Sequence, residues 1–167
     1  QAAELVERGY TAMKFDPLPA AGFHLSPAAF EGAVEKVGAV RAAVGADVEL
    51  MVETHGRLNL AFARKLAEAI AEFKPMFLEE PLGPEYTSAT EKLSHQTTVP
   101  LATGERLYTR WDFRDLFERQ AVAYVQPDIG HAGGISELRK IASMAEAYGI
   151  AVASHNPFSP LNFVAEH

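Results

Sequence analysis

Val48-Glu49-Leu50-Met51-Val52-Glu53-Thr54-His55 is a short apolar run that stops at an acid and a histidine. Four residues of the run are aliphatic or thioether side chains with no polar alternation, the pattern of a strand covered on both faces. The same design recurs along the chain. Met76–Leu78 runs into Glu79-Glu80, Leu101–Thr103 into Gly104-Glu105, Tyr124–Gln126 into Pro127-Asp128, and Ala151–Ser154 into His155. Upstream, Ala12–Phe15 carries Lys14 and ends at Asp16.

Between these runs lie helices. Ser26 is placed to cap one that opens with Pro27, carries Phe30, Val34, Val37 and Val44 as a stripe, and stops at Gly45. Phe62, Leu66, Ile70 and Phe73 share a face of the next, which ends before Pro75. Thr109 caps a segment bearing Phe113, Leu116 and Phe117, and Trp111 beside Arg110 is read as packing. Ile135, Leu138, Ala142, Ala145 and Tyr148 form the last stripe, closed by Gly149. Gln1–Arg8 reads as the tail of a helix stopped at Gly9, and Leu161–His167 as a helix beginning.

Strands alternating with helices give a parallel sheet of repeated βα units. Two α/β architectures fit: an open doubly wound sheet and a (β/α) barrel. No glycine-rich phosphate loop follows an early strand, which weighs against the nucleotide-binding form of the open sheet. A complete barrel has eight strands and about 250 residues. This sequence has 167 residues and six strand candidates, so it is expected to be an incomplete barrel from a longer enzyme.

Composition narrows the function. With 15 basic against 22 acidic residues, the net charge of −7 disfavours nucleic acid and anionic membranes as partners. The chain has no cysteine, so there is no disulfide framework, thiolate metal site or thiol nucleophile. No apolar run is long enough to span a bilayer, and a cytoplasmic setting is expected.

The polar groups at the strand ends recur at even spacing: 26 residues (53→79), 26 (79→105), 23 (105→128) and 27 (128→155). That is the length of one βα unit, so all should meet on the rim at the strands' carboxyl ends, where parallel barrels carry their chemistry. Glu53, Glu79 and Glu105 would converge there. Like charges so close call for a cation, and all-oxygen ligation without cysteine favours Mg²⁺. His55 lies two residues beyond Glu53. His155 follows Asp128 by one unit, and an acid beside a histidine fixes its tautomer, as a general base requires. Lys14 and Asp16 are candidates for substrate binding, Lys14 equally for pairing with the acids. His131, within Gly130-His131-Ala132-Gly133-Gly134, could line the rim; His24 and His95 are read as loop or surface residues, and His167 has no context that points to chemistry.

Glu53-Thr54-His55-Gly56-Arg57, Phe77-Leu78-Glu79-Glu80-Pro81, Gly104-Glu105-Arg106-Leu107-Tyr108, Gln126-Pro127-Asp128, His131-Ala132-Gly133-Gly134 and Ser154-His155 follow one another in order. Together they resemble the enolase superfamily, mandelate racemase subgroup, and look most like its acid-sugar dehydratases of the galactonate type. The resemblance implies a modified TIM-type barrel, (β/α)₇β, under an N-terminal capping domain. Residues 1–167 would then be a partial C-terminal barrel domain of about six βα units, with the capping domain and flanking strands outside the sequence. It implies Mg²⁺ held by Glu53, Glu79 and Glu105, a His155–Asp128 dyad, and His55 as second acid/base. Asp16 stands where racemases of the group carry a catalytic lysine, which points to dehydration. Glu53 departs from the usual Asp by one methylene.

The implied reaction takes the C2 proton of a sugar acid through a metal-stabilised enediolate. Loss of the 3-hydroxyl then gives a 2-keto-3-deoxy acid. A galactonate-like small molecule is the expected substrate, and a homo-oligomer the expected assembly of the full-length protein. A racemase or cycloisomerase of the same superfamily, or an inert barrel fragment, are the alternatives.

Overall fold

The structure, a computed structural model, describes residues 1–20 and 22–157. The elements run α1 (Ala2–Glu7), β1 (Ala12–Phe15), α2 (Pro27–Val44), β2 (Glu49–Glu53), α3 (Leu60–Ile70) with a 3₁₀ turn at Ala71–Phe73, and β3 (Phe77–Glu79). They continue with α4 (Thr87–Ser94), β4 (Leu101–Thr103), α5 (Arg110–Glu118), β5 (Tyr124–Val125), α6 (Ile135–Ala147) and β6 (Ala151–Val152). The helix expected at Leu161–His167, like His167 itself, lies outside the described residues.

All neighbouring strands are parallel and their order is β1-β2-β3-β4-β5-β6. This sequential order decides between the two architectures. A doubly wound sheet reverses direction at a switch point; this one never does, so every crossover returns on the same side and the sheet curls as part of a barrel.

Register assigns the faces. Met13, Leu50, Val52, Leu78, Leu101 and Val125 are buried on the helix side. They pack with Val37, Leu66, Ile70, Phe113, Phe117 and Ile141 from the helices. Each such side chain contributes about 1.5–3 kcal/mol relative to exposure, so this interlayer core holds the sheet in its curve. The alternate residues, Lys14, Met51, Glu53 and Glu79, face the concave side.

Local chemistry sets the helix ends. Ser26 Oγ accepts from Ala29 N at 3.2 Å, and Asn59 Oδ1 from Phe62 N at 3.0 Å. Asp112 accepts from Thr109 N at 2.9 Å in a capping box. Arg41 ties the end of α2 to its surroundings, donating to Phe73 O at 2.9 Å and Val48 O at 2.6 Å.

Some expectations are corrected. α4 carries no apolar stripe beyond Thr90 and Leu93, so periodicity did not announce it. On α6 the buried face is Leu138, Ile141 and Ala145; Ile135 at its first position and Tyr148 at its C-cap are exposed, since the two ends of the stripe fall where the helix begins and stops. Phe30 and Val34 of α2, and Phe62 and Phe73 after β2, are only partly buried, with Ala33, Ala63 and Ala67 taking the closest positions. Trp111 is 65% exposed rather than packed, with the Arg110 guanidinium 5.0 Å from its ring centre. Among the described residues no helix is long and apolar enough to cross a membrane.

Candidate active site

Glu53 closes β2 and Glu79 closes β3, and the two are register partners. Glu105 lies two residues past β4, beyond Gly104. Gly104 adopts φ +135°, and a Cβ there would stand 3.0 Å from Gln126 N and from the Phe113 ring. Only glycine lets the end of β4 press against β5 and turn Glu105 inward. One carboxylate oxygen from each of the three acids falls within 4.8 Å of the others.

The cluster is short of positive charge. Lys14 Nζ donates to Glu79 and lies 3.9 Å from Glu53. Burial, followed by hydrogen bonding and repulsion from Glu79, pushes Glu53 up from 4.5 to about 9. Burial acts upward on Glu79 too, but a proton shared with Glu53 and the Lys14 ammonium outweigh it and hold Glu79 below the usual carboxylate value. Among the described residues, Oε2 of Glu79 is buried with no hydrogen-bond partner.

A hard divalent cation fits these residues. The donors are all oxygens, one buried oxygen is unclaimed, and the acids repel one another. Ligands ~2.1 Å from an octahedral Mg²⁺ stand about 3 to 4.2 Å apart, so the cluster needs only a small contraction.

Two histidines flank the acids. His155 Nδ1 is 3.0 Å from Asp128 Oδ2, and its Nε2 is 3.0 Å from Glu105 Oε2. Asp128 is fully buried, and its Oδ1 accepts from Gly130 N at 2.7 Å and His131 N at 3.1 Å. Asp128 and His155 also form a parallel bridge beyond β5 and β6, so backbone pairing sets the dyad. On the other side, His55 Nδ1 is 2.8 Å from Asp16 Oδ2. Lys14, Asp16, Glu53, His55, Glu105 and His155 line one cleft of about 470 Å³.

All eight candidate residues, Lys14, Asp16, Glu53, His55, Glu79, Glu105, Asp128 and His155, come together at this end of the sheet. Lys14 is engaged with the acids, and Asp16 is engaged with His55 and Arg57. His131 binds the Glu105 carbonyl through Nδ1 at 2.8 Å, whereas His24 and His95 are exposed. Sequence reasoning passed over the brace beneath the rim. Glu80 is fully buried in left-handed backbone (φ 44°). It receives Arg106 Nε at 2.9 Å and Gly104 N at 3.0 Å, together with Thr103 Oγ1. Its carbonyl accepts from Gly56 N at 2.6 Å and Thr54 Oγ1 at 2.8 Å. The Glu80–Arg106 pair thus joins the ends of β2, β3 and β4. Its signal was the doubled acid before Pro81, since two adjacent buried carboxylates need two separate compensations.

A sequentially wound parallel barrel segment thus gathers acids and histidines at its carboxyl-terminal rim, the class of a TIM-type barrel enzyme. The chain belongs to the family described as Enolase C-terminal domain-like, whose model matches residues 1–167. It is 40% identical over 156 residues to a D-galactonate dehydratase of Verminephrobacter eiseniae (strain EF01-2), covering 93% of this chain and 41% of that protein. It is also 40% identical over 161 residues to the D-galactonate dehydratase of Variovorax paradoxus (strain S110), covering 96% and 42%. Among solved structures it is similar to a putative dehydratase from Mesorhizobium loti (TM-score 0.91, 43% identity, 96% of this chain and 45% of that one). A mandelate racemase/muconate lactonizing enzyme-like protein from Rubrobacter xylanophilus DSM 9941 gives TM-score 0.93 at 39% identity, covering 99% and 44%. The chain therefore spans about two fifths of the length of the curated relatives it matches.

Proposed function

We propose that this chain carries the catalytic rim of a Mg²⁺-dependent acid-sugar dehydratase, a hydro-lyase acting on a galactonate-like substrate. The observation that carries the reading is the convergence of three carboxylates within 4.8 Å between two Asp-held histidines. Relatives named D-galactonate dehydratase support the substrate class.

Glu53, Glu79 and Glu105 would hold the cation. When bound, it supplies the positive charge that stabilises the second negative charge gained by the substrate carboxylate as the C2 proton leaves. Lys14, beside the acids, binds that carboxylate. His155 takes the C2 proton at Nε2, the nitrogen left free of Asp128. His55 gives a proton to the 3-hydroxyl as the C3–O bond breaks, so water departs, and the resulting enol becomes the 2-keto-3-deoxy acid. For a substrate of opposite C2 configuration the two histidines exchange roles. Asp16, in place of a lysine, favours dehydration over racemisation.

The test is to incubate the full-length protein with Mg²⁺ and a panel of acid sugars that includes D-galactonate, and to assay 2-keto acid. Product from one or more sugars is the expected result. C2 hydrogen exchange without water loss would move the protein to the racemases. No exchange, with no rise in melting temperature at millimolar Mg²⁺, would favour an inert barrel.

A further inference from the structure

Asp16 offers both of its oxygens to the protein. Oδ1 accepts from Leu18 N at 2.9 Å, closing a turn whose backbone Pro17 and Pro19 restrict. Oδ2 lies 2.8 Å from His55 Nδ1 and also receives the Arg57 guanidinium. Arg57 is itself pinned, donating from Nε to Thr54 O at 3.1 Å and from Nη1 to Pro19 O at 3.0 Å. The carboxylate therefore has a fixed position and a fixed direction. Little of it remains for a substrate hydroxyl.

His55 needs such support. Its ring is 54% exposed, and its backbone sits in the left-handed region at φ 51°, unusual for a residue with a side chain. It lies beyond the last paired residue of β2, Glu53, with backbone bonds to the end of β3 only from its neighbours Thr54 and Gly56 among the described residues. The Asp16 oxygen facing the ring already accepts from Arg57, and a carboxylate oxygen paired with a guanidinium accepts, so Nδ1 is the donor to it and Nε2 is left for the cleft.

We infer that Asp16 is a positioning residue that fixes the orientation and tautomer of His55, making Asp16–His55 a second dyad opposite Asp128–His155. The inference deepens the reading of His55 as proton donor and rests on it. Among the described residues, Asp128 of the other dyad has no arginine in the place of Arg57. By donating to the same Oδ2 that faces His55, Arg57 keeps the acid in place on a partly exposed rim.

The experiment uses the full-length protein with Asp16→Ala and Asp16→Asn. The first readout is the ¹⁵N spectrum of the His55 ring, taken without substrate. Wild type is expected to carry the neutral-ring proton on Nδ1, whereas the Ala variant passes to the Nε2–H form. The second readout is steady-state water loss with Mg²⁺. Misaiming a proton donor lowers kcat by about 10- to 100-fold in the Ala variant with KM changed by less than about threefold. C2 exchange, the work of His155, falls far less.

Asp16→Asn keeps the Leu18 turn and a neutral acceptor of the same shape, so it falls between wild type and Ala on both readouts; it also decides the matter if the Ala variant does not fold. An unshifted tautomer, or a raised KM at unchanged kcat, overturns the positioning role and returns Asp16 to substrate binding. A shifted tautomer in a protein that dehydrates no acid sugar keeps the dyad and rejects the dehydratase reading instead.

Discussion

The two histidine arms face each other across one acid cluster, yet they are built differently. His155 is 18% exposed, its partner Asp128 is fully buried, and the two are joined by strand-type backbone pairing. The His55 side chain is 54% exposed and that of its partner Asp16 26%, and His55 sits past the end of β2 in a left-handed turn. One arm inherits its geometry from the sheet, and the other is assembled from a loop. On the roles proposed for them, the base that meets the carbon-bound proton is the sheet-held arm and the donor to the departing hydroxyl is the more exposed one.

The largest effect expected is on this division of labour. His155→Asn should lower both C2 exchange and water loss by about a thousandfold, the scale of a lost general base. His55→Asn should block water loss to a similar degree while C2 exchange continues, read by deuterium uptake from solvent. Exchange that survives in the His155 variant and vanishes in the His55 variant would reverse the assignment.

A smaller effect isolates what supports the loop-built arm. A Cβ on Gly56, at φ +62°, would lie 2.1 Å from Arg106 Nη2. Gly56→Ala should push Arg106 off Glu80 and leave a buried carboxylate short of its partner, costing about 2–3 kcal/mol with the backbone strain included. In an Arg106→Met background the same change should cost only about 1 kcal/mol, the backbone part alone. Urea midpoints of the four proteins measure the difference. Equal costs in both backgrounds would show that the brace does not bear on the turn.

The same contrast explains what was legible in the sequence. Glu53, Glu79, Glu105, Asp128 and His155 hang from repeats of one supersecondary unit, so counting residues brings them to one rim. The βα repeat alone fits both barrel and open sheet; the ordered motifs implied the barrel, and the strand order bears it out. Glu80, Arg57 and Arg106 sit one or two positions out of phase, and their partners are set by left-handed turns at His55 and Glu80 that no periodicity encodes. Asp16 was legible as a rim residue, but its partners were not, because both lie some forty positions away on a different loop. α4 escaped notice because a short helix with Thr90 and Leu93 as its buried residues leaves no stripe.

Between the arms, pH acts on the acids. Glu53 at about 9 in the fold against 4.5 unfolded means that the folded chain holds its proton more tightly. Its contribution is full below about 4.5 and is lost as pH rises through about 9. Glu79 is shifted the opposite way, so its contribution fades only on acidification below its ordinary value, outside that window. In EDTA the melting temperature should therefore fall from pH 6 to pH 9. With millimolar Mg²⁺ the fall should shrink or reverse, because ligation requires the deprotonated acid and strengthens as that proton leaves. A parallel fall in both series would argue against a cation at this cluster.

The smallest effect tests how the loop-built arm is anchored to the body of the fold. Four residues after His55, Asn59 caps α3 through its 3.0 Å bond from Phe62 N, fixing where the loop must end. Asn59→Ala removes one cap and should cost about 1 kcal/mol. The corresponding junction after Asp128 enters α6 through Gly134, which makes no side-chain bond, so that arm has no equivalent cap to lose. If the loop transmits the loss, Asn59→Ala lowers water loss about twofold to threefold and leaves C2 exchange unchanged, in the same direction as the His55 variant but far weaker. If both rates stay at wild-type values while stability drops, Asp16 and Arg57 alone aim the ring, and α3 contributes only to the fold.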